Sequence, residues 1–144
     1  MTTKQLTHAI SLCAVIGLVL SIYSLLHNAG LTDGTICTLN DTINCDVVNK
    51  GPFGKIAGIP VSLIGVIGYA FLLVAAQLKQ RNTSDRSLSV FLLLASLGGF
   101  AFSLYLTSLE AFVLHAWCLI CLTSQLLILI ITGLAIRLFI SERS

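Results

Sequence analysis

Residues 111–136 read AFVLHAWCLICLTSQLLILIITGLAI, an apolar run with one histidine and no aspartate, glutamate, lysine or arginine. About 20 consecutive apolar residues are enough for a helix to cross the hydrocarbon core of a bilayer. Three further charge-free runs lie at 9–26, 59–78 and 87–109. Because lipid offers the backbone no hydrogen-bond partners, each span must be helical. We therefore expect an all-α membrane protein in which residues 1–144 form a single domain, with spans at about 9–27, 59–79, 87–109 and 113–138.

The composition excludes the usual water-soluble and nucleic-acid-binding classes. Hydrophobic residues make up 56% of the chain and charged residues 10%, whereas soluble domains carry about 25% charged residues. A net charge of +2 is too small to indicate a basic surface that binds nucleic acid. The first apolar run is too long for a signal peptide, and no cleavage site of small residues stands out at its end. We expect all four runs to lie in a lipid bilayer.

Basic residues outside the runs predict the orientation of the bundle. Loops rich in lysine and arginine face the cytoplasm under the positive-inside rule. If all four runs cross the membrane, the long loop at 27–58 and the turn near Glu110 lie together on the outward side. The opposite, cytoplasmic side then holds six basic residues: Lys4, Lys79, Arg81, Arg86, Arg137 and Arg143. The sequence thus predicts a four-transmembrane-helix bundle with one long outward loop.

Four of the five cysteines lie near the outward face. Cys37 and Cys45 fall in the outward loop, and Cys118 and Cys121 form a CxxC motif at the start of the fourth span. Disulfides persist in the oxidising compartments that this face meets. The exposed N–H groups of a helix start favour the thiolate, which is the form that attacks disulfides and quinone rings. Cys13 lies inside the first span, where we expect it to pack as a small hydrophobic residue.

The loop pair has more than one interpretation. Cys37 and Cys45 can form a structural staple, or they can form a mobile shuttle that accepts electrons from a soluble thiol. A CxxC motif on the same face favours exchange, because exposed disulfides tend to be the labile ones. A zinc site with four cysteine ligands is a further alternative, but seven residues separate the loop cysteines, which matches the spacing of zinc knuckles poorly. We expect thiol exchange and no metal.

Three elements occur together in this chain: the loop pair, the run FGKIAGIPVSLIG at 53–65 and the WCLIC motif at 117–121. In this combination the chain resembles the vitamin K epoxide reductase family in its standalone, bacterial-type four-helix form. The resemblance runs from about Leu12 to Leu134. Another family of four-helix disulfide oxidases, typified by the bacterial partner of the periplasmic thiol oxidase, places its CxxC before its loop pair. Here the loop pair comes first, which favours the vitamin K epoxide reductase type.

The resemblance implies a quinone-dependent thiol oxidase that generates disulfides. Electrons would pass from a thioredoxin-like partner on the outward face to Cys37–Cys45, then to Cys118–Cys121 and finally to quinone. Cys37 would meet the partner, Cys45 would exchange with Cys118, and Cys121 would lie closest to the quinone ring. The quinone (ubiquinone, menaquinone or vitamin K) would be the electron acceptor and substrate. The bacterial-looking motif favours the bacterial inner (plasma) membrane over the endoplasmic reticulum.

Four further residues are candidates for the quinone site besides Cys121, and each has a simpler alternative. Ser62 follows Pro60 at the outward end of the second span, where its hydroxyl can meet quinone or bond to its own helix. Phe53 and Ile56 precede that span in a segment that can form a short amphipathic helix over the site, or an anchor in the interface. Trp117 can pack on quinone or belong to the aromatic belt.

Two departures from the family pattern qualify the resemblance. Some members fuse a thioredoxin-like domain to the C-terminus, whereas this chain ends at Ser144, so we expect a separate partner protein. Animal members carry a tyrosine four positions after the second CxxC cysteine, and Gln125 stands there, which argues against epoxide reduction. The rival functional class is a small membrane scaffold or transporter subunit with structural or zinc-binding cysteines. The near absence of ionisable residues inside the spans argues against transport.

Overall fold

The structure is a computed structural model that describes residues 2–28, 55–56, 59–109, 111–112 and 119–143. Each of the four long helices within these ranges is long and apolar enough to cross a membrane, with a mean hydropathy between 1.9 and 2.4 over its most apolar window. The prediction of an all-α, four-helix membrane bundle is confirmed. The helices are α1 (Thr3–Asn28), α2 (Val61–Arg81), α3 (Arg86–Leu109) and α4 (Leu119–Arg143).

Helix α1 begins six residues before the predicted span because Thr2 and Gln5 cap it. The Thr2 hydroxyl accepts a hydrogen bond from the Gln5 backbone N–H at 3.3 Å, and the Thr2 N–H donates to Gln5 Oε1 at 2.9 Å. This reciprocal pair is a capping box, which satisfies N–H groups that a helix start leaves without partners. The absence of charge marks the part of a helix that lies in lipid, whereas the cap decides where the helix begins.

The described backbone just before α2 is extended. Strand β1 (Lys55–Ile56) pairs antiparallel with β2 (Ile59–Pro60), with Ile56 opposite Ile59. Lys55–Ile56 and Ile59–Pro60 are therefore not helical, so the amphipathic helix considered for Ile56 is wrong at that residue, and the second helix begins two residues after the predicted start of its span. Pro60 explains the change, because the residue before a proline is disfavoured in the helical region of φ/ψ space. Helix α2 accordingly begins at Val61, directly after the proline.

One end of the bundle is closed by a buried lysine. Lys79, on the last turn of α2, is fully buried and donates hydrogen bonds to the backbone carbonyls of Thr83 at 3.0 Å and Asp85 at 2.8 Å. Its ammonium also forms an ion pair with Glu142 on the last turn of α4. The Asp85 carboxylate caps α3 by accepting from the Ser87 N–H at 2.9 Å. Lys79, predicted to be a loop cation, is thus neutralised inside the protein.

The bundle buries small polar side chains and exposes large apolar ones. Helix α1 packs against α2 and α4, and α3 packs mainly against α4. Apolar side chains such as Leu12, Phe71 and Leu94 are more than half exposed, as expected for residues that face lipid. Serine and threonine are common between membrane helices because their small side chains let the two helices approach closely and form hydrogen bonds from one helix to the other. The buried apolar core consists of Leu6, Ile10, Ala14, Tyr69, Leu72, Ala75, Ala76, Leu92, Ile128, Ile131, Ala135 and Leu138.

Candidate functional site

A cavity of about 370 Å³ lies between the four helices. Most of its lining residues come from the second half of α1, the first half of α2, the second half of α3 and the first half of α4. These halves share the end of the bundle opposite Lys79, which is the predicted outward end. The volume falls within the range of about 300–1,000 Å³ that is usual for small-molecule sites.

The cavity wall is mostly apolar, with a few hydroxyl groups and one thiol. Such a wall suits a flat, apolar ligand with a small number of hydrogen-bond acceptors. Carboxylates and basic side chains are absent from the described lining. Its polar members are Ser21, Ser24, Ser62, Tyr69, Ser103, Thr107, Cys121 and Ser124.

Two of the predicted site residues, Ser62 and Cys121, line this cavity together. Ser62 lies in the first turn of α2, and Cys121 lies in the first turn of α4. For Ile56 the structure describes the backbone in β1 but not the side chain. The other predicted site residues, Cys37, Cys45, Phe53, Trp117 and Cys118, lie outside the described residues.

The Ser62 hydroxyl is buried in the cavity wall without a hydrogen-bond partner among the described residues. Ser62 is 9% exposed, and its Oγ has no hydrogen-bond partner among the described residues. A bond from Ser62 back to its own helix, the simpler alternative, is not found within these residues. Leaving a buried hydroxyl unpaired costs about 1–3 kcal/mol. An acceptor bound in the cavity would remove that cost, which makes Ser62 a candidate ligand donor.

A second polar group of the cavity joins α2 to α4. The Tyr69 hydroxyl lies 2.8 Å from Ser124 Oγ and donates to the Ser124 backbone carbonyl at 3.0 Å. Tyr69 is 6% exposed, and its ring covers Gly17 on α1 so closely that a methyl group there would overlap it. The ring and its hydroxyl are therefore fixed by contacts with two other helices.

A comparison with protein families matches residues 8–136 to the Vitamin K epoxide reductase family, which is most of the 144-residue chain. The chain belongs to this family. The match extends from the first turns of α1 to the second half of α4. A comparison with curated proteins gives no match. As a vitamin K epoxide reductase family member with four membrane-spanning helices, the protein is a membrane oxidoreductase of the quinone-linked thiol class.

Gln125, where animal members of the vitamin K epoxide reductase family carry a tyrosine, contacts the cavity wall indirectly. Its side-chain carbonyl hydrogen-bonds to the hydroxyl of Thr107, which lines the cavity. Thr107 also lies 3.0 Å from the backbone carbonyl of Ser103 one turn earlier on α3. The Gln125 side-chain oxygen on α4 thus accepts a hydrogen bond from the Thr107 hydroxyl on α3, which links the two helices. Within the described part of the chain, the Ser62 Oγ remains a buried hydroxyl of the cavity wall without a hydrogen-bond partner.

Sequence reasoning missed Tyr69, Ser124 and Thr107 as members of the site. Helical spacing contained a signal for the first two: Ser124 is three residues after Cys121, and Tyr69 is seven after Ser62. Residues three, four or seven apart share a helix face. The sequence gives no comparable signal for Thr107, because the third span has no motif from which to count.

The two glycines of α2, Gly65 and Gly68, have different environments. A side chain at Gly65 would place its Cβ 2.9 Å from Ser21 Oγ, so α1 and α2 approach closely there. At Gly68 no heavy atom lies within 4 Å of an added Cβ, and the same is true of Gly98 on α3. Both open glycines line the cavity and are exposed. The cavity therefore reaches the outer surface of the bundle between α2 and α3.

Proposed function

We propose that this protein oxidises thiols on the outward face of the membrane and passes their electrons to a quinone bound in the cavity beside Cys121. The observation that carries the proposal is that Cys121 lines a mostly apolar cavity within the membrane-spanning part of the bundle. A lipid-soluble acceptor can reach a thiol at that position, whereas a charged soluble acceptor would lose its hydration. Ubiquinone, menaquinone and vitamin K all meet this requirement.

The cavity wall supports a quinone as the ligand. A quinone ring is flat and apolar, and it has two carbonyl oxygens that accept hydrogen bonds. The unpaired hydroxyl of Ser62 is a donor for one of them. A ring held there would lie in the same cavity as the Cys121 sulfur, which is the geometry that transfer between the two requires.

The reaction balances with two cysteines and one quinone. The Cys121 thiolate attacks the quinone ring and forms a carbon–sulfur bond. The Cys118 thiolate then attacks the Cys121 sulfur, a disulfide forms, and the carbon–sulfur bond breaks with its electron pair returning to the ring. Two thiols lose two protons and two electrons, and the quinone gains both pairs to become a quinol. The role of Cys118 rests on the family resemblance.

The two loop cysteines relay the electrons from the thiol partner. A reduced thioredoxin-like protein exchanges with Cys37, and the loop pair Cys37–Cys45 passes its electrons through Cys45 to Cys118. The partner becomes oxidised, and the net product is a disulfide in a protein outside the cytoplasm. The bacterial inner membrane, with the cysteines facing the periplasm or exterior, is the compartment that fits this direction of flow.

The test is quinone reduction by the purified protein in detergent, driven by a small dithiol. We expect the parent protein to reduce ubiquinone, menaquinone or vitamin K, and Cys118→Ala and Cys121→Ala to be inactive. Cys13→Ala is the matched control, because Cys13 lies on α1, packs against the core and does not line the cavity. Cys13→Ala should retain parental activity.

If the parent reduces none of the three quinones, the proposal is wrong and the cysteines are structural or metal-bound. Zinc released to a chelator in proportion to protein would then identify the metal alternative.

A further inference from the structure

The Tyr69–Ser124 pair is the second group of hydroxyls in the cavity wall, and the function proposed above does not use it. Tyr69 projects from α2 and Ser124 from α4, and both line the cavity with Cys121. Ser124 lies three residues after Cys121 on α4. The helical rise places it on the same face and about 4.5 Å deeper along the axis. The pair is therefore close to the reacting sulfur, about one turn further from the predicted outward surface.

One hydroxyl hydrogen of this pair can point towards a ligand in the cavity. Two hydroxyls have two hydrogens, and one of them bridges the 2.8 Å between Tyr69 Oη and Ser124 Oγ. If Ser124 donates this bridge, Tyr69 donates its own hydrogen to the Ser124 carbonyl at 3.0 Å. If Tyr69 donates the bridge, the Ser124 hydrogen is free for an acceptor in the cavity. Rotation of two O–H bonds, with no movement of heavy atoms, interconverts these arrangements.

We propose that the Tyr69–Ser124 pair donates a hydrogen bond to one carbonyl oxygen of the quinone and thereby orients the ring against Cys121. Ser124 contacts the oxygen directly. Tyr69 is a positioning residue that acts through Ser124, since its hydroxyl bridges to Ser124 Oγ and its ring is held against Gly17. This inference deepens the proposed function and rests on it.

Two donors at different depths explain how one ring orientation is selected. Ser62 lies seven residues before Tyr69 on α2, which is about 10 Å along the helix axis. The tyrosine side chain leans back towards the N-terminal end of its helix, so the gap between the two donors is shorter than the backbone separation. A quinone has carbonyl oxygens on opposite sides of its ring, and each oxygen then meets its own donor. Negative charge develops on these oxygens as the ring accepts electrons, and fixed donors stabilise it.

The experiment measures kcat and KM for quinone, at saturating dithiol, in purified full-length protein. Ser124→Ala removes the donor and should lower kcat/KM about tenfold, which corresponds to one hydrogen bond. Ser124→Thr keeps a hydroxyl and should stay within about twofold of the parent. Tyr69→Phe should lose no more than Ser124→Ala, and the double variant should equal Ser124→Ala, because both residues act through one hydroxyl.

Thr132→Val is the matched control for loss of an interhelical hydrogen bond. The Thr132 hydroxyl on α4 lies 3.2 Å from the Ser96 carbonyl on α3, and neither residue lines the cavity. Thermal unfolding in detergent should show similar decreases in Tm for Thr132→Val and Ser124→Ala. Only Ser124→Ala should change the quinone kinetics. A purely structural role for Ser124 would move Tm and leave kcat/KM unchanged.

Two results would overturn the inference while the proposed function stands. One is a parental kcat/KM in Ser124→Ala, and the other is equal loss in Ser124→Thr and Ser124→Ala. If Tyr69→Phe does not fold, the two Ser124 variants still decide the question. A parent protein that reduces no quinone instead removes the proposed function itself, so the two failures are distinguishable.

Discussion

Lys79 and Glu142 form an ion pair between the last turns of α2 and α4, at the end of the bundle opposite the cavity. The lysine is fully buried, and the Glu142 side chain is 16% exposed. Lys79 also holds the turn between α2 and α3 through the carbonyls of Thr83 and Asp85. The Lys79 ammonium on α2 thus contacts both the turn that leads into α3 and the last turn of α4. These contacts lie at the end of the bundle that the charge distribution predicts to be cytoplasmic.

Removing one partner of this pair should destabilise the protein without altering its chemistry. Lys79→Met leaves the Glu142 carboxylate and two carbonyls without their donor, and Glu142→Gln leaves a buried ammonium without its counter-charge. Loss of one partner of a buried ion pair costs about 3–5 kcal/mol. We expect each variant to lower Tm in detergent, and the double variant to lose less than the sum. Arg81→Met, at an exposed position two residues from Lys79, is the control and should be nearly neutral. Strictly additive losses would show that the two residues do not interact.

Gly17 should tolerate no side chain. A methyl group at this position would overlap the Tyr69 ring, whereas an added Cβ at Gly133 on α4 meets no heavy atom within 4 Å. Overpacking of this kind costs about 1–3 kcal/mol. Gly17→Ala should therefore lower Tm and, by displacing Tyr69 from Ser124, lower quinone turnover as well. Gly133→Ala should change neither measurement. A parental Tm for Gly17→Ala would contradict the close packing of α1 on α2.

The opening between α2 and α3 should admit the tail of a lipid quinone. Gly98 lines the cavity, is exposed, and has room for a side chain. Gly98→Leu should raise KM for a quinone with a long isoprenoid tail several-fold, because the leucine occupies the opening. The same variant should reduce a tail-less analogue at close to the parental rate. Gly133→Leu is the control, since Gly133 is exposed but lies outside the cavity wall. Equal effects of Gly98→Leu on both quinones would place the tail elsewhere.

Variants in the two cysteine pairs should respond differently to the choice of electron donor. Cys37→Ala should block turnover driven by a reduced thioredoxin-like protein, because that protein exchanges with the loop pair. It should keep part of the turnover driven by a small dithiol, which can reach Cys118 directly. Cys121→Ala should abolish both activities, since every electron passes through it to quinone. Equal loss of the two activities in Cys37→Ala would argue against the shuttle role of the loop pair.

Single cysteines should report the orientation of the bundle. In a cysteine-free background, Ser84→Cys places a thiol at an exposed position of the turn between α2 and α3. A membrane-impermeant maleimide should label it in bacterial cells only after permeabilisation, as the positive-inside rule requires. A chain whose single cysteine is Cys45 should be labelled in intact cells. Reversal of the two results would place the thiols in the cytoplasm and remove the proposed direction of electron flow.

Site residues that belong to a local sequence motif could be predicted from the sequence, whereas contacts between helices could not. Cys121 was identified by its CxxC motif, and Ser62 by its place after the Gly-Ile-Pro run, and both line the cavity. Helical spacing places Ser124 near Cys121 and Tyr69 on the face of Ser62, but the hydrogen bond between Tyr69 and Ser124 depends on how α2 packs against α4, because a hydroxyl pair 55 residues apart in the chain has no local signature. The extended backbone before α2 was missed because the apolar pattern outweighed the local effect of Pro60.

The sequence by itself determined that the chain lies in a membrane, that it crosses with four helices, and which family it belongs to. Apolar length and the near absence of charge decide the first two properties, whereas the loop pair, the run at 53–65 and the WCLIC motif indicate the family. Only the tertiary structure decided that Lys79 is buried against Glu142, that Gly17 is covered by Tyr69, and that Gly68 and Gly98 border an open cavity. These relationships depend on how the helices are rotated and how closely they approach. Many weak contacts between small side chains set that geometry, and no short stretch of sequence encodes it.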